Sequence, residues 1–148
     1  MKLELENLRG FAGPHELEVR PITLLVGENS SGKTSLLAAL SSVLQHDFPA
    51  ADHFNKPPFS LGSYDTIATY RGGKAGRAKF FSLGWKSDDQ RSVKAKFVNY
   101  QGSPRLDQLE IRRGNHTLSG SLATGEWVFQ ATSKGGKTTD RIIKTDPR

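Results

Sequence analysis

The residues whose types and spacing could perform chemistry lie in one short glycine-rich stretch. It runs from Gly27 to Thr34 and matches the pattern G-x-x-x-x-G-K-[ST] at every fixed position. In such a loop, consecutive backbone N–H groups converge on a concave anion site, and the glycines permit the tight curvature. We expect Lys33 to reach the β- and γ-phosphates of a nucleotide and the Thr34 hydroxyl to bind Mg²⁺. The pattern therefore predicts a phosphate-binding loop.

The residues on either side of this loop have the character that the pattern requires. Before it, residues 22–26 read Ile-Thr-Leu-Leu-Val, an apolar run typical of a buried strand. After it, apolar residues recur with helical spacing, which predicts a helix over about residues 32–45. The positive end of that helix would face the phosphates. The candidate binding residues, with Lys33 as the catalytic cation and Thr34 as the metal ligand, are Gly27, Glu28, Asn29, Ser30, Ser31, Gly32, Lys33, Thr34 and Ser35.

Two other Gly-Lys pairs show what the pattern excludes. The stretch 136–138 reads Gly-Lys-Thr, but Ala131 stands where the first glycine of the pattern belongs. Lys74 also follows a glycine, but Ala75 takes the place of the hydroxyl residue. We therefore expect neither to bind a nucleotide.

Composition limits the class of protein. The chain has 148 residues, enough for one domain with a core, and no apolar run that approaches the length of a membrane span. It contains no cysteine, which excludes disulfides and thiolate metal sites and fits a reducing compartment. We therefore expect a cytoplasmic protein without a membrane partner. The histidines show no metal-ligand spacing, and we expect His46–Asp47 and Asp52–His53 to lie in a solvated loop.

The charge of +6 is unevenly distributed along the chain. Residues 1–60 carry 5 Lys/Arg and 7 Asp/Glu, a net −2, whereas residues 61–148 carry 16 and 8, a net +8. A basic second half could face nucleic acid phosphates. Lys and Arg could equally decorate the solvent side of strands, where they discourage edge pairing. Charge alone leaves both interpretations open.

Hydrophobic periodicity divides the remainder of the chain. Alternation over Met1–Leu8 and His15–Arg20 predicts an amphipathic hairpin, and period-two patterning after Arg77 predicts an antiparallel meander of four to six strands. The composition of residues 119–125 predicts a turn-rich stretch. We expect the aromatic residues of the strands, Trp85 and Trp127 among them, to lie in the core. The predicted segments of the lobe are 1–46 (strands, phosphate loop and helix), 47–76 (irregular loop), 77–131 (meander) and 132–148 (tail).

The opening residues resemble those of one group of ATPases. Residues 3–11, Leu-Glu-Leu-Glu-Asn-Leu-Arg-Gly-Phe, followed by Ile22–Leu40, are similar to the start of ABC-superclass ATPases of the SMC and RecF type and of the OLD-like AAA family ATPases of anti-phage defence. The resemblance implies an α/β fold: the N-terminal lobe of a P-loop NTPase with an antiparallel β-subdomain, an incomplete ABC-type head. It also implies ATP and Mg²⁺ as cofactors and contact of Arg9 with the phosphates.

The same resemblance implies particular partners. A second ATPase head would complete the site in a homodimer or larger oligomer, and DNA and a nuclease subunit are candidate partners. Whether such a head would serve DNA repair or defence stays open at this point.

Several motifs of a complete head are missing from the sequence. No four-residue apolar run ends in Asp-Glu, and residues 142–146, Ile-Ile-Lys-Thr-Asp, do not form one. The signature-like stretch 118–121, Leu-Ser-Gly-Ser, lies among turn residues, and Gln130 is a weak candidate for the glutamine loop. Hydrolysis needs a carboxylate that orients water and further Mg²⁺ ligands. We therefore expect an ATPase only when a missing C-terminal lobe is supplied, whether the chain is truncated, split or partly ordered.

Other functional classes differ from the ATPase hypothesis in the motifs that they require. A nucleotide-gated module could bind ATP without hydrolysis and switch association with DNA or a nuclease. A GTPase needs an Asn-Lys-x-Asp base reader, and residues 55–58, Asn-Lys-Pro-Pro, lack the Asp. A P-loop kinase needs an Arg-rich lid, and a transporter cassette would carry aromatic and acidic cues that the sequence lacks. The Arg9-Gly10-Phe11 start favours the ATPase reading.

Overall fold

The computed structural model describes residues 1–49, 53–133 and 138–144, the last of these as backbone only. It shows one antiparallel sheet and few helices. The elements in chain order are β1 (Lys2–Leu8), β2 (Phe11–Glu18), α1 (Lys33–Val43), α2 (Tyr64–Ile67), β3 (Phe80–Lys86), β4 (Arg91–Tyr100), β5 (Ser103–Arg113), β6 (His116–Ala123), β7 (Glu126–Ser133) and β8 (Thr138–Lys144). The strand order across the sheet is β2-β1-β3-β4-β5-β6-β7-β8.

The predicted N-terminal hairpin forms, with one shift of its boundary. Leu3 pairs with Leu17 across β1 and β2, and the apolar residues of β1 face the core. The second strand begins at Phe11 and not at His15, so the connection is short and centres on Arg9 and Gly10. Because the other edge of β1 pairs with β3, the hairpin belongs to the same sheet as the meander.

Strands β3 to β7 form the meander predicted for residues 77–131, with five strands. The expectation of a turn over residues 119–125 is wrong, because β6 continues to Ala123. Gly120 is buried opposite Phe129 in the middle of that strand, and only the Thr124–Gly125 pair turns the chain, both with positive φ (49° and 84°). The expected tail also contains a strand, β8, paired with β7.

The core lies on one face of strands β1, β3 and β4. Helix α1 covers it with its small residues, Ala38 and Ala39 among them. Beside the helix, Phe54 packs edge-on against Phe81 and Phe97, with ring centroids 5.3 and 5.0 Å apart. Burial of these large rings stabilises the lobe together with the aliphatic residues of the core. Of the two tryptophans, Trp85 packs against this core, whereas Trp127 is half-buried and stacks on Phe129 outside it.

The predicted buried strand over residues 22–26 is wrong for this structure. The segment belongs to no strand, and Ile22, Leu24 and Val26 are 85%, 84% and 92% exposed. Both edges of β1 are occupied, by β2 and by β3, and the segment does not pair with the outer edge of β2 either. Without a neighbouring strand among the described residues, its apolar side chains remain in solvent. The helix that follows is also shorter than expected and begins at Lys33.

The expected solvated loop around His53 is partly buried instead. His53 is buried, its carbonyl oxygen accepts from Ser42 Oγ of α1 at 3.5 Å, and its Nε2 is 2.9 Å from Asp47 Oδ1, whereas His46 is exposed. Asp52 lies outside the described residues. Further along, Asn55 closes the loop, donating from Nδ2 to the Gly62 carbonyl oxygen and accepting at Oδ1 from the Gly62 N–H. The two hydrogen bonds of Asn55 thus hold residues 55–62 in a compact loop.

Candidate functional site

The phosphate loop connects the exposed segment 22–26 to helix α1. Two residues in it adopt left-handed backbone conformations, Ser30 with φ 65° and Gly32 with φ 94°. Gly32 is the N-cap of α1, and a Cβ at this position would lie 3.4 Å from the ring of Phe11. Conformation and space therefore both favour glycine here. The spacing of the glycines in the pattern corresponds to a curl of the chain.

The ammonium group of Lys33 closes this curl. Its Nζ donates to the carbonyl oxygen of Gly27 at 2.7 Å, to that of Glu28, and to Ser31 Oγ at 3.3 Å. The only charge that these three acceptors present is partial, so an oxyanion would be a stronger partner for the ammonium. The arrangement holds the Lys33 ammonium within the loop, where phosphate oxygens could replace the carbonyl oxygens as its hydrogen-bond acceptors.

The first turn of α1 presents unopposed backbone donors to the same region. It carries no acidic residue, and no side chain caps its N-terminus. The partial positive charge of a helix N-terminus favours an anion at such a position. Thr34, in this turn, is exposed, and its hydroxyl makes no hydrogen bond within the described part of the chain. It is therefore available as a ligand for a metal that accompanies a phosphate.

Arg9 lies beside this turn and not inside the loop. Its Nη1 donates to Ser35 Oγ at 3.4 Å, while Nε and Nη2 donate to the carbonyl oxygens of Thr66 (3.2 Å) and Leu61 (3.1 Å). Ser35 itself is buried. Contact of Arg9 with a phosphate stays a prediction, since it would require some of these carbonyl contacts to be exchanged.

Asn7 is a structural residue of the site that the sequence reasoning missed. It is buried with φ 56°, and its Oδ1 accepts from the Gly13 N–H (3.1 Å) and from Arg71 Nη2 (2.6 Å). Asparagine tolerates this left-handed conformation better than most residues. Nearby, Thr69 Oγ1 donates to the Arg9 carbonyl oxygen at 2.7 Å. These bonds tie the turn that carries Arg9 and Phe11 to residues 61–71.

The other motif candidates lie away from the loop. Gln130 is on β7, five strands from β1 in the sheet order, and it lines the concave face of the sheet with Glu6 and Phe80. The signature-like stretch 118–121 lies within β6 and precedes no helix. The structure therefore brings neither of them to the phosphate loop.

The described residues also limit what else the site could hold. In that part of the chain no group of three His, Cys, Asp or Glu side chains is arranged to bind a metal ion. No helix there is long and apolar enough to cross a membrane. Any Mg²⁺ at the loop would therefore depend on Thr34 and on the oxygens of a nucleotide.

Comparison with known proteins gives one match. The family described as an AAA domain matches residues 2–145, nearly the whole chain. No curated protein and no solved structure matches it. The matched range includes the phosphate loop, the helix after it and the antiparallel strands.

Proposed function

The chain belongs to the AAA domain family, and from this premise we propose that it binds MgATP as the N-terminal lobe of an SMC-, RecF- or OLD-like ATPase head. The family supports a nucleotide-binding, ATPase-like function in general terms. The observation that carries the specific proposal is the Lys33 ammonium, held by loop carbonyls at the N-terminus of a helix without acidic residues in its first turn.

Each residue of the loop has a distinct role in this proposal. The backbone N–H groups from Gly27 to Lys33 surround the phosphates, and Lys33 Nζ exchanges the carbonyl oxygens for β- and γ-phosphate oxygens. The Thr34 hydroxyl binds Mg²⁺, which neutralises the charge that develops on the transferred group. Arg9, one hydrogen bond from Ser35, adds positive charge beside the first turn of α1.

Hydrolysis in this proposal depends on segments outside the chain. The sequence contains no apolar strand ending in Asp-Glu. The segment 22–26 supports the same conclusion, because Ile22, Leu24 and Val26 are exposed on a backbone that pairs with no strand in the described residues. An exposed apolar segment that pairs with no strand could pair with a further strand. A segment bearing the missing carboxylate could pair there, and a second head would supply the signature motif.

The biological setting follows from the resemblance of residues 3–11 and 22–40. We place the head in DNA repair or in anti-phage defence, as a homodimer or larger oligomer of heads with DNA and a nuclease subunit as candidate partners.

Release of phosphate from ATP tests the proposal. Residues 1–148 should bind MgATP but release no phosphate above background, whereas the same residues combined with the polypeptide encoded downstream of Arg148 should hydrolyse ATP. Lys33→Ala should abolish hydrolysis in the combined protein. If the combined protein binds MgATP and never hydrolyses it, the alternative of a non-hydrolysing, nucleotide-gated binding module is correct. If neither form binds MgATP, both are wrong.

A further inference from the structure

The side chain of Arg9 links the first turn of α1 to the short helix α2. Its Nη1 donates to Ser35 Oγ at 3.4 Å, on the side of the phosphate loop. On the other side, Nη2 donates to the carbonyl oxygen of Leu61 at 3.1 Å and Nε to that of Thr66 at 3.2 Å. One guanidinium therefore contacts both elements at once.

Helix α2 depends on contacts from outside itself. It is a single turn, Tyr64–Ile67, and so short a helix is marginal without tertiary support. Its last turn contains no basic residue of its own, whereas Arg9 brings a positive charge to the carbonyl oxygen of Thr66 near the C-terminal end. A cation at that end of a helix is stabilising. The Arg9 side chain thus acts as a cap for α2.

The other side of α2 is attached to the meander. The Tyr64 N–H donates to the carbonyl oxygen of Gly102, in the β4–β5 turn, at 2.8 Å. The hydroxyl of the same tyrosine donates to the Ala78 carbonyl oxygen at 3.0 Å. A change in α2 would therefore be felt at the β4–β5 turn.

An anion in the phosphate loop would compete for Arg9. Ser35, which Nη1 already contacts, follows the proposed Mg²⁺ ligand Thr34 directly in the first turn of α1. A phosphate oxygen carries a full charge and is a stronger acceptor for a guanidinium than a carbonyl oxygen. If Arg9 turns toward a phosphate, it gives up carbonyl contacts on the α2 side.

The side chain can leave α2 without leaving buried carbonyl oxygens unsatisfied. The carbonyl oxygen of the buried Leu61 also accepts from Thr66 Oγ1 at 2.6 Å, and Thr66 is exposed, so water can reach its carbonyl oxygen. The backbone of Arg9 stays anchored, because its N–H donates to the Ile67 carbonyl oxygen and its carbonyl oxygen accepts from Thr69 Oγ1, each at 2.7 Å. Only the side chain of Arg9 needs to move.

We propose that Arg9 makes α2 respond to nucleotide. Without nucleotide the guanidinium caps α2, and with MgATP it turns to the phosphates and α2 loosens. Because MgATP would bind one arrangement of Arg9 better than the other, it would shift the balance between them. The inference rests on the proposed binding of MgATP at the loop and adds to it that the loop tightens while α2, and with it the contact to the β4–β5 turn, weakens.

Hydrogen–deuterium exchange of residues 1–148 with and without MgATP tests the inference. The amides of the loop, Gly27 to Lys33, should exchange more slowly with MgATP. The α2 amides of Thr66, Ile67 and Ala68, which donate to carbonyl oxygens of Ser63 and Tyr64, should exchange at least about threefold faster. A ligand that merely rigidified the lobe would slow both sets.

Two variants identify the residue responsible. In Arg9→Gln the three α2 amides should exchange rapidly with or without MgATP, because the cap is already lost. The matched control is Arg77→Gln, since Arg77 Nη1 also donates to a carbonyl oxygen beside α2, that of Ala68, at 3.0 Å, but makes no contact with α1 in the described residues. This control should keep the acceleration by MgATP.

The two proposals fail in distinguishable ways. Protection of the loop by MgATP with unchanged or slower exchange in α2 would reject the response of α2 and leave nucleotide binding standing. An acceleration that persists in Arg9→Gln would also reject it, since Arg9 would not be the cause. Absence of protection at the loop would reject nucleotide binding, and the inference with it. If circular dichroism shows that Arg9→Gln is unfolded, wild type and Arg77→Gln decide, and loss of the acceleration in Arg77→Gln would contradict the role of Arg9.

Discussion

At the scale of single residues, the site is held by contacts that a ligand can replace. Lys33 and Arg9 place their charged donors on backbone carbonyl oxygens of Gly27, Leu61 and Thr66. Carbonyls satisfy these cations without binding them as strongly as an oxyanion would. Replacement of these carbonyl oxygens by phosphate oxygens is what our proposal requires.

The Thr34 hydroxyl is the proposed Mg²⁺ ligand. Thr34→Ala should weaken binding of MgATP by about tenfold, because a single Mg²⁺ ligand is lost, and should leave binding of metal-free ATP within about twofold. Titration calorimetry with and without EDTA measures both affinities, with Thr117→Ala, a β6 residue, as the control. Equal losses with and without Mg²⁺ would mean that Thr34 does not bind the metal.

Tyr64 offers a test of the core by pH. Its hydroxyl is buried and donates to the Ala78 carbonyl oxygen at 3.0 Å, and burial raises the pKa of Tyr64 to about 12. A pKa raised on folding stabilises the native state fully below the unfolded value near 10, and this contribution disappears as the pH rises toward 12. Wild-type protein should therefore lose stability over this window more steeply than Tyr64→Phe does.

Urea unfolding at pH 8 and at several values above 10 measures that difference. At pH 8 the Tyr64→Phe variant should be less stable by about 1 kcal/mol, the usual net contribution of one hydrogen bond. Tyr100→Phe, which alters an exposed ring, is the control. Parallel pH profiles for wild type and Tyr64→Phe would show that the Tyr64 hydroxyl is not buried as described.

At the scale of elements, the sequence predicted what local pattern decides. Alternating apolar residues located β1, β3 and β4, and helical spacing located α1, since these signals lie within each element. Residues 22–26 were predicted as a buried strand because their apolar character is that of one, but burial also needs a neighbouring strand. The extent of β6 was missed because Ser119 and Gly120 resemble turn residues until their pairing partners are known.

The candidate site also combines features that the local sequence predicts with features that depend on the folded chain. The curl from Gly27 to Thr34 was predicted from letters at fixed spacing, and the left-handed conformation of Gly32 explains the glycine, whereas the chemistry of Lys33 and Thr34 stays a prediction. The role of Asn7 was missed because its partners, Gly13 and Arg71, are distant in sequence and meet only in the folded chain.

Two strand glycines give a prediction at this scale. A Cβ at Gly84 would run into the Val93 carbonyl oxygen and lie 2.9 Å from Lys94 Cα, which is backbone on the adjacent strand. A Cβ at Gly120 would lie 2.6 Å from the Phe129 ring, a side chain that can turn away. Gly84→Ala should therefore cost about 1–3 kcal/mol of unfolding free energy, and Gly120→Ala less. Denaturant midpoints measure both, and the reverse order would contradict the described β3–β4 packing.

At the scale of the whole molecule, the lobe has a closed aromatic core and an exposed apolar segment, residues 22–26. The core packs beneath α1, whereas Ile22, Leu24 and Val26 remain in solvent, as do Leu37 of α1 (44% exposed) and Leu44 just after it (62% exposed). An exposed apolar segment is typical of an interaction surface. Our proposal places the remainder of the head at residues 22–26.

Polar substitution of residues 22–26 separates an effect on folding from an effect on assembly. The triple variant Ile22→Thr, Leu24→Thr, Val26→Thr should leave the melting temperature of residues 1–148 nearly unchanged, because all three side chains are already exposed. It should reduce association with the downstream polypeptide by at least about tenfold, since buried apolar area is lost from the interface. Analytical ultracentrifugation measures association. A large drop in melting temperature with unchanged association would show that the segment packs within this lobe.

The central claim is that the loop from Gly27 to Thr34 binds MgATP, and titration calorimetry of MgATP into residues 1–148, alone and combined with the downstream polypeptide, tests it most directly. The account predicts one saturable site, a loss of about 10- to 100-fold in Lys33→Ala through removal of charge-assisted hydrogen bonds, and no change in Lys137→Ala, the lysine of the second Gly-Lys-Thr. Absence of binding in both preparations, or equal affinity in wild type and Lys33→Ala, would contradict it.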